Sequence, residues 1–205
     1  MLKYILIIFT VFCFSSAHSQ HEWTPAKVIL KNGTSLRGLV KFPKHSGGLI
    51  SIGSTAFKYK KNRKSKTEKY GNEAVQEVIF GDEAFATVHY KYVPIRANKH
   101  ILLKEVVCGK VSLYSRTVLL FQDTYLPDLN PKIAGYYYDD TQFYLKRKQE
   151  QVAKLIVDPN TFISFPLETK KYFSDCKEIV DYLDNDLYEL NNLIELVEDY
   201  NLLCE

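Results

Sequence analysis

One stretch decides how the rest of this 205-residue sequence is interpreted: Val28-Ile29-Leu30-Lys31-Asn32-Gly33-Thr34-Ser35-Leu36-Arg37-Gly38. Apolar runs at residues 23–30 and 35–42 flank the dipeptide Asn32-Gly33. Asn-Gly between two extended runs is the strongest short-range hairpin signal, because both residues of the tight turn take positive φ. The sequence therefore predicts an antiparallel hairpin near the start of the folded chain.

Short apolar or alternating runs continue to residue 157, and Gly81-Asp82 and Gly109-Lys110 predict turns between neighbouring runs. Short strands joined by tight turns favour an antiparallel meander, either a curved sheet or a barrel-like one. The further predicted strands are residues 49–52, 55–59, 75–80, 85–93, 101–108, 111–114, 118–121, 142–146 and 152–157.

Residues 158–205 change to helical periodicity, so the fold class predicted is α+β, with a short C-terminal helical segment after the sheet. Asp175 is expected to cap a helix, with Glu178 at the capping-box spacing, and Pro166 opens an earlier helical turn over residues 167–173. Two apolar stripes at helical spacing follow: Cys176, Ile179, Val180 and Leu183, then Leu190, Leu193, Ile194, Val197 and Tyr200.

The first 19 residues predict a secretory signal peptide. Lys3 provides a basic start, residues 4–14 are apolar, and Ala17 and Ser19 occupy the −3 and −1 positions of a small-residue cleavage site. A bilayer-spanning helix needs about 20 apolar residues, so a retained anchor is disfavoured. The mature chain is expected to be exported without a transmembrane span: periplasmic, outer-membrane-associated or secreted.

Charge divides the mature chain into a β-rich domain, residues 20–157, and an acidic helical segment, residues 158–205. The first holds 23 Lys and Arg against 12 Asp and Glu, a net +11, and the second holds 3 against 12, a net −9. The simpler interpretation is that the helices pack on the sheet domain within one molecule. The alternative is that each part meets a separate partner.

A dense basic run is the first candidate site. Its simplest explanation is a solvated loop, and its functional explanation is an anionic partner: lipopolysaccharide phosphates, an acidic glycan or the chain's own acidic helices. Nucleic acid is disfavoured because the chain is predicted to leave the cytoplasm. The run consists of Lys58, Lys60, Lys61, Arg63, Lys64, Lys66 and Lys69.

A tyrosine-rich stretch is the second candidate site. Tyr136, Tyr137, Tyr138 and Tyr144 offer apolar area with a polar tip, as sugar-binding and protein-binding surfaces do. The alternative, which we favour, is that alternate rings fill the core.

Three cysteines remain after removal of the signal peptide. Cys176 begins one predicted helix and Cys204 ends the next, so in an antiparallel helix pair a disulfide between them is geometrically natural; two free thiols are the alternative. Cys108 lies within an apolar strand pattern and is expected to be a small buried residue.

No motif in the sequence indicates a catalytic centre, a metal site or a cofactor. There is no His-Glu-x-x-His, Cys-x-x-Cys or Gly-x-Ser-x-Gly, and Asp139-Asp140 is expected in a hairpin turn. We therefore expect an exported, non-catalytic binding or structural module of the cell envelope. The alternative is a secreted hydrolase, which a polar pocket gathering His89, His100 or Asp139-Asp140 would favour.

The hairpin at residues 28–38 resembles the start of many exported proteins of Bacteroidota. Their C-terminal end is resembled by the segment Tyr172-Phe173-Ser174-Asp175-Cys176, together with Tyr200-Asn201 and Cys204. One position departs from the pattern, because Lys177 stands where those proteins often carry Pro. The resemblance implies an exported compartment and an architecture that begins with a hairpin and ends in helices. It implies no activity.

Overall fold

The computed structural model describes residues 23–42, 56–82, 86–124, 134–159 and 165–204, with only the backbone described at 119, 121–124, 134–137 and 139. These residues form one ten-stranded antiparallel sheet followed by helices, and the sheet is not closed into a barrel. The α+β meander predicted from the sequence is confirmed. The predicted strand at residues 49–52 lies outside the described residues.

Along the sheet the strands lie in the order β10-β9-β8-β7-β6-β5-β1-β2-β3-β4. The elements are β1 Thr24–Leu30, β2 Ser35–Lys41, β3 Phe57–Lys60, β4 Glu68–Tyr70, β5 Val75–Asp82, β6 Ala86–Arg96, β7 Lys99–Val107, β8 Val111–Thr124, β9 Ala134–Arg147, β10 Lys154–Val157, α1 Phe165–Tyr172, α2 Lys177–Asp184, a 3-10 turn Leu190–Asn192 and α3 Leu193–Leu203.

The first hairpin forms where the sequence predicts it, with a different turn. Gly33 has φ +83°, whereas Asn32 is not among the residues with positive φ. The Gly33 N–H donates to the Leu30 carbonyl, and the Leu30 N–H donates to the Thr34 carbonyl, both at 2.9 Å. This is the three-residue loop in which a glycine with positive φ follows an ordinary turn, so only Gly33 needs the left-handed conformation.

The link between β4 and β5 forces the first half of the sheet to curl. Four strand spacings separate these two strands, roughly 19 Å in a flat sheet. Yet they are joined by residues 71–74, a turn in which the Ala74 N–H donates to the Gly71 carbonyl at 3.2 Å, and such a turn brings its ends within about 7 Å. The five strands therefore wrap around one core, which consists of Val28, Val40, Phe57, Tyr59, Val75 and Val78.

The second half of the sheet also curves. The Ala153 N–H, just before β10, donates to the Pro94 carbonyl on β6 at 2.7 Å, although three strands separate β6 from β10. The concave side of this half of the sheet is filled by a second core, which consists of Val93, Ile101, Leu103, Tyr114, Tyr144 and Ala153.

The helices cover the β7–β10 end of the sheet, where α3 contacts β7 and β8 and α1 contacts β10. A third core joins the two layers, with Leu113, Leu145 and Ile156 from the strands against Phe173 and Leu196 from the helical segment. Two ion pairs add to this contact between the basic sheet and the acidic segment: Arg147 with Asp175 and Lys154 with Glu168.

The longest hairpin corrects one prediction. Strands β8 and β9 pair continuously over 14 residues each, and Asp139 and Asp140 lie opposite Leu119 and Val118 in mid-strand. The expected turn at Asp139-Asp140 is therefore wrong. Asp is depleted in strands, so the residue types alone favoured a turn where the pairing of β8 with β9 continues.

Gly38 on β2 is required by the close approach of β3. A Cβ atom there would lie 2.6 Å from Cε2 of Tyr59 and would overlap the carbonyl oxygen of Lys60. We expect Gly38→Ala to lower the free energy of unfolding by about 1–3 kcal/mol, because the core has no room for the methyl group. Urea denaturation measures this.

Gly71→Ala is the matched control, since its Cβ would meet nothing closer than 3.8 Å. Equal stability of the two variants would show that β2 and β3 do not approach each other as described.

Candidate functional site

The predicted basic run lies on β3, β4 and the loop between them, at the free edge of the sheet. The loop is shaped by Asn62, whose Oδ1 accepts hydrogen bonds from the backbone N–H groups of Lys64 and Ser65, each at 3.0 Å. The side chain of Lys60 is half-buried, and its Nζ lies 4.7 Å from the centroid of the Trp23 ring. The other six basic residues of the run are exposed.

Three lysines form a row across adjacent strands. Lys41 on β2 lies opposite Lys58 on β3, which lies opposite Lys69 on β4. Side chains alternate along a strand, and the neighbours Val40, Phe57 and Tyr59 face the core, so the lysines share the outer face. Like charges directly opposite each other destabilise a sheet. Within the described residues, no carboxylate forms an ion pair with these lysines.

The basic face continues onto β1, where Lys27 lies opposite Arg37 of β2. Arg37 shares its face with Lys41, four residues along the same strand. We call this surface the basic face, and it consists of Lys27, Arg37, Lys41, Lys58, Lys60, Lys61, Arg63, Lys64, Lys66 and Lys69.

An open depression of about 450 Å³ adjoins Lys27 and Arg37. Besides these two residues it is lined by Pro25, Ala26, Gly38, Ile79, Gly81 and Asp82. Gly81 has φ +95°, and a Cβ atom there would overlap the carbonyl oxygen of Ala86, so this position stays without a side chain. The sequence did not single out the depression, because its lining comes from three strands.

The tyrosine-rich stretch does not form one exposed aromatic surface. Tyr144 is only 3% exposed and donates a hydrogen bond from its hydroxyl to Oε1 of Gln142 at 3.0 Å, whereas Tyr138 is 36% exposed. Burial raises the pKa of Tyr144, so its hydroxyl stays protonated and serves as a donor in the core. The side chains of Tyr136 and Tyr137 lie outside the described part of the chain.

The residues named for a hydrolase are dispersed. Nδ1 of His89 lies 2.8 Å from Oε1 of Glu77, and its Nε2 lies 2.9 Å from Oγ1 of Thr87. His100 lies on β7 opposite Pro94, and Asp140 accepts a hydrogen bond from the Thr141 N–H on β9. Neither histidine lines the depression. Among the described side chains, no three His, Cys, Asp or Glu residues are grouped as a metal site requires.

Asp175 does not cap a helix. The N-cap of α2 is Cys176. The Asp175 carboxylate accepts two hydrogen bonds from the guanidinium of Arg147, of 2.6 and 2.7 Å. The Tyr200 hydroxyl donates to the same carboxylate at 2.7 Å. The predicted cap is therefore wrong, because a two-point bond to a guanidinium outcompetes a single backbone N–H. Arg147 also lies over the rings of Tyr172 and Tyr200.

Cys176 and Cys204 form the predicted disulfide, with their Cα atoms 5.7 Å apart. Helix α3 runs as far as Leu203 and places Cys204 directly at its end, beside the N-terminus of α2.

Asn201 fixes the same helix to the sheet. Its Oδ1 accepts a hydrogen bond from the Val111 N–H and its Nδ2 donates to the Val111 carbonyl, both at 2.8 Å. The C-terminal motif residues thus join the helical segment to itself and to β8 and β9. A motif of this kind indicates structure rather than a binding site.

Cys108 is exposed, and the expectation that it is buried is wrong. The register of β7 against β8 shifts between Glu105 and Val107, which makes Val106 an extra residue. This irregularity ends the alternation, and β7 ends at Val107. Cys108 therefore begins the turn at Gly109-Lys110, which forms as predicted.

In the part of the chain that the structure describes, every helix is too short or too polar to cross a lipid bilayer. No known family model matches the sequence, and neither the curated proteins nor the solved structures contain a match. The resemblance to exported proteins of Bacteroidota stays a prediction.

The Asp175 carboxylate gives stability a defined pH dependence. The hydrogen bonds from Arg147 lower its pKa from 3.8 to about 2. A carboxyl group whose pKa is depressed by folding contributes stability above its unfolded pKa and loses that contribution as the pH falls through the folded value. Between about pH 4 and pH 2, we expect the wild type to lose more unfolding free energy than Asp175→Asn, as measured by urea denaturation at each pH. Parallel profiles for the two proteins would contradict the Arg147–Asp175 pairing.

The disulfide closes a loop between cysteines 28 residues apart. The chain-entropy model gives such a bridge about 3–4 kcal/mol. We expect the double variant Cys176→Ala/Cys204→Ala to lose stability of that order, and dithiothreitol to lower the melting temperature of the wild type but not of the variant. Cys108→Ala is the control, and it should leave the melting temperature and its response to dithiothreitol unchanged.

Proposed function

We propose that this protein is an exported, non-catalytic module of the cell envelope that binds an anionic glycan through its basic face. The observation that carries the proposal is the row Lys41, Lys58 and Lys69, which places like charges directly opposite each other on three strands. A short edge strand with one lysine is a common defence against edge-to-edge pairing, which accounts for Lys69. It does not account for Lys41 and Lys58 on interior strands.

The acidic helices do not compensate this charge. They contact β7, β8 and β10, whereas the lysine row crosses β2, β3 and β4 at the other end of the strand order. The described ion pairs between sheet and helices use Arg147 and Lys154, neither of which belongs to the basic face. None of these described ion pairs involves the row Lys41, Lys58 and Lys69, and this row is the part of the basic face that the proposal assigns to a partner.

The surroundings of the basic face favour a glycan over a lipid surface. Proteins that lie on membranes usually combine basic residues with apolar side chains that enter the lipid. Among the described residues, the large hydrophobic side chains that are exposed lie between positions 138 and 203 of the sequence, and none is on β1–β5. A hydrated polyanion needs no such anchor.

Export is the second part of the proposal. The signal peptide predicted at residues 1–19 and the resemblance to exported Bacteroidota proteins support it. The Cys176–Cys204 disulfide supports it as well, because such bridges persist in oxidising compartments. An extracytoplasmic location also makes nucleic acid an improbable partner.

Neutralising the lysine row tests the proposal. We expect Lys41→Gln/Lys58→Gln/Lys69→Gln to bind polygalacturonate about tenfold more weakly than the wild type in low-salt titration calorimetry, since three surface charges are together worth about 1–2 kcal/mol. Added salt should weaken wild-type binding and narrow the difference.

Lys148→Gln/Lys171→Gln/Lys177→Gln is the matched control. It removes the same charge from exposed positions outside the basic face, and it should bind like the wild type. Equal losses in both triple variants would show that only net charge matters and would refute a site on this face. Failure of the wild type to bind the polymer at low salt would refute the proposed function outright.

A further inference from the structure

The helical segment carries a ridge of exposed apolar side chains. Seven of the nine large hydrophobic side chains that are exposed among the described residues belong to this segment. Three of the seven lie close together in the chain: Leu187 is 62% exposed, Leu190 is 43% exposed and Ile194 is 42% exposed. Leu190 and Ile194 are four residues apart, so they share one side of the helical turns, whereas Leu193 between them is buried. We call Leu187, Leu190 and Ile194 the apolar ridge.

Carboxylates flank the apolar ridge. Each of its three members has an exposed acidic residue as its neighbour in the chain. Within the described residues, none of these three carboxylates belongs to an ion pair. Adjacent apolar side chains that are exposed and rimmed by polar ones are typical of surfaces that bind a protein partner. The three flanking acids are Asp186, Glu189 and Glu195.

The chemistry of the ridge defines the partner that fits it. Anionic lipids repel carboxylates, so a membrane surface is a poor occupant. A fitting partner carries cations that face the three acids, with apolar groups among the cations that cover the ridge. Complementary charge of this kind selects a partner and speeds association.

The basic face of the same chain has this composition. Val40 faces the core, so its neighbours Leu39 and Lys41 lie on the outer side of β2, where Leu39 is half-buried. Lys60 lies opposite Leu39 and shares that side. Its Nζ is 4.7 Å from the centroid of the Trp23 ring, which places the indole on the same side. Cations and apolar groups are therefore interspersed on this surface.

The apolar ridge and the basic face belong to opposite ends of the sheet. Helix α3 contacts β7 and β8, and β6, β5 and β1 lie between those strands and the lysine row on β2–β4. The ridge side chains are exposed to solvent. A contact between the two surfaces therefore joins two copies of the chain. Because the two surfaces differ, the contact is head-to-tail and leaves one surface of each kind for a further copy.

We propose that the apolar ridge of one copy docks on the basic face of a second copy, with the flanking acids facing the lysine row. A stable interface uses roughly 20–30 residues from each side, and the ridge with its acids has six, so the contact is weak and reversible. The lysine row is also where the proposed function places the glycan. The docking does not rest on that function, but it adds regulation to the same site, because glycan and second copy compete for it.

Sedimentation equilibrium of the mature chain tests the docking. At low salt, we expect the average mass to rise with concentration, and to return to the monomer in about 1 M NaCl, where the Debye length is about 3 Å. The lysine-row variant keeps the ridge, and Asp186→Asn/Glu189→Gln/Glu195→Gln keeps the basic face. Each variant should stay monomeric alone. An equimolar mixture should form dimers and nothing larger, because only one matching pair of surfaces is left.

The chain offers matched controls for both parts of the ridge. Glu73→Gln/Glu178→Gln/Asp181→Asn removes three exposed carboxylates outside the ridge. Leu202→Ser, at a leucine that is 79% exposed, is the control for Leu187→Ser. Both controls should associate as the wild type does, whereas Leu187→Ser should raise the dissociation constant about fivefold, because it removes apolar area from the contact.

Trigalacturonate, which is too short to bridge several copies, tests the competition. We expect it to return the wild type to the monomer at low salt. If it binds and leaves the association unchanged, the second copy does not dock on the lysine row and the proposal is overturned. If it fails to bind while the two complementary variants still form dimers, the docking is supported and the proposed glycan function fails instead.

Three other results would overturn the docking. One is a wild type that stays monomeric at low salt while its lysine row still binds polygalacturonate, which would leave the proposed function standing alone. Another is an equal loss of association in the two acidic triple variants, since only net charge would then matter. The third is a mixture of the complementary variants that stays monomeric, which would show that the two surfaces do not meet.

A measurement on the unaltered protein keeps the test independent of variant folding. Trp23 is the single tryptophan of the sequence and lies beside Lys60 of the basic face. On dilution at low salt, its fluorescence emission should change over the same concentration range as the average mass. Constant emission while the mass falls would place the contact elsewhere and overturn the proposal.

Discussion

The four-residue connection at positions 71–74 is the constraint on which the architecture depends. It returns the chain from the edge strand β4 to β5, which pairs with β1 rather than with β4. Its hydrogen-bonded turn allows no long span, so the strands between must curl. The curl gives Val28, Phe57 and Val78 a common interior, and it turns every alternate side chain of β1–β4 outward. The basic face and the depression beside it follow from that geometry.

The two ends of the sheet differ in what covers them: helices pack on one end, and the other carries the basic face. At the β7–β10 end, the helices cover the strands. An Arg–Asp pair and an asparagine join the two layers, and a disulfide joins the helices to each other. At the β1–β4 end, the outer face carries cations whose arrangement costs the sheet some stability. The near-neutral total charge of the sequence, +3, conceals this separation.

Sequence reasoning succeeded where a local pattern determines the structure. The Asn-Gly dipeptide predicted the first hairpin, helical spacing predicted α2 and α3, and those helices predicted the Cys176–Cys204 bridge. It failed where distant residues compete for a group. Asp175 has a capping position by spacing, but Arg147, 28 residues earlier in the chain, offers a stronger partner. The burial of Cys108 was mispredicted because an unmarked extra residue, Val106, ended the alternation of β7.

The candidate site was predicted only in its contiguous part. The basic residues at 58–69 are close together in the sequence, so the sequence alone reveals them. In contrast, Lys27, Arg37 and Lys41 join them only through the register of paired strands. Asp82 and the depression depend on β5 lying beside β1, which the order of strands along the chain does not suggest.

The two hydrogen bonds between Asn201 and Val111 bear on the alignment of β8 relative to the helices. One carboxamide engages both the N–H and the carbonyl of a single strand residue, and Gly109 leaves the room for it to approach. A slip of β8 by one residue would present Lys110 or Ser112 instead and would turn the strand's apolar residues away from the helices. The two hydrogen bonds of Asn201 are therefore compatible with one alignment of β8 beneath helix α3 and disfavour its neighbours.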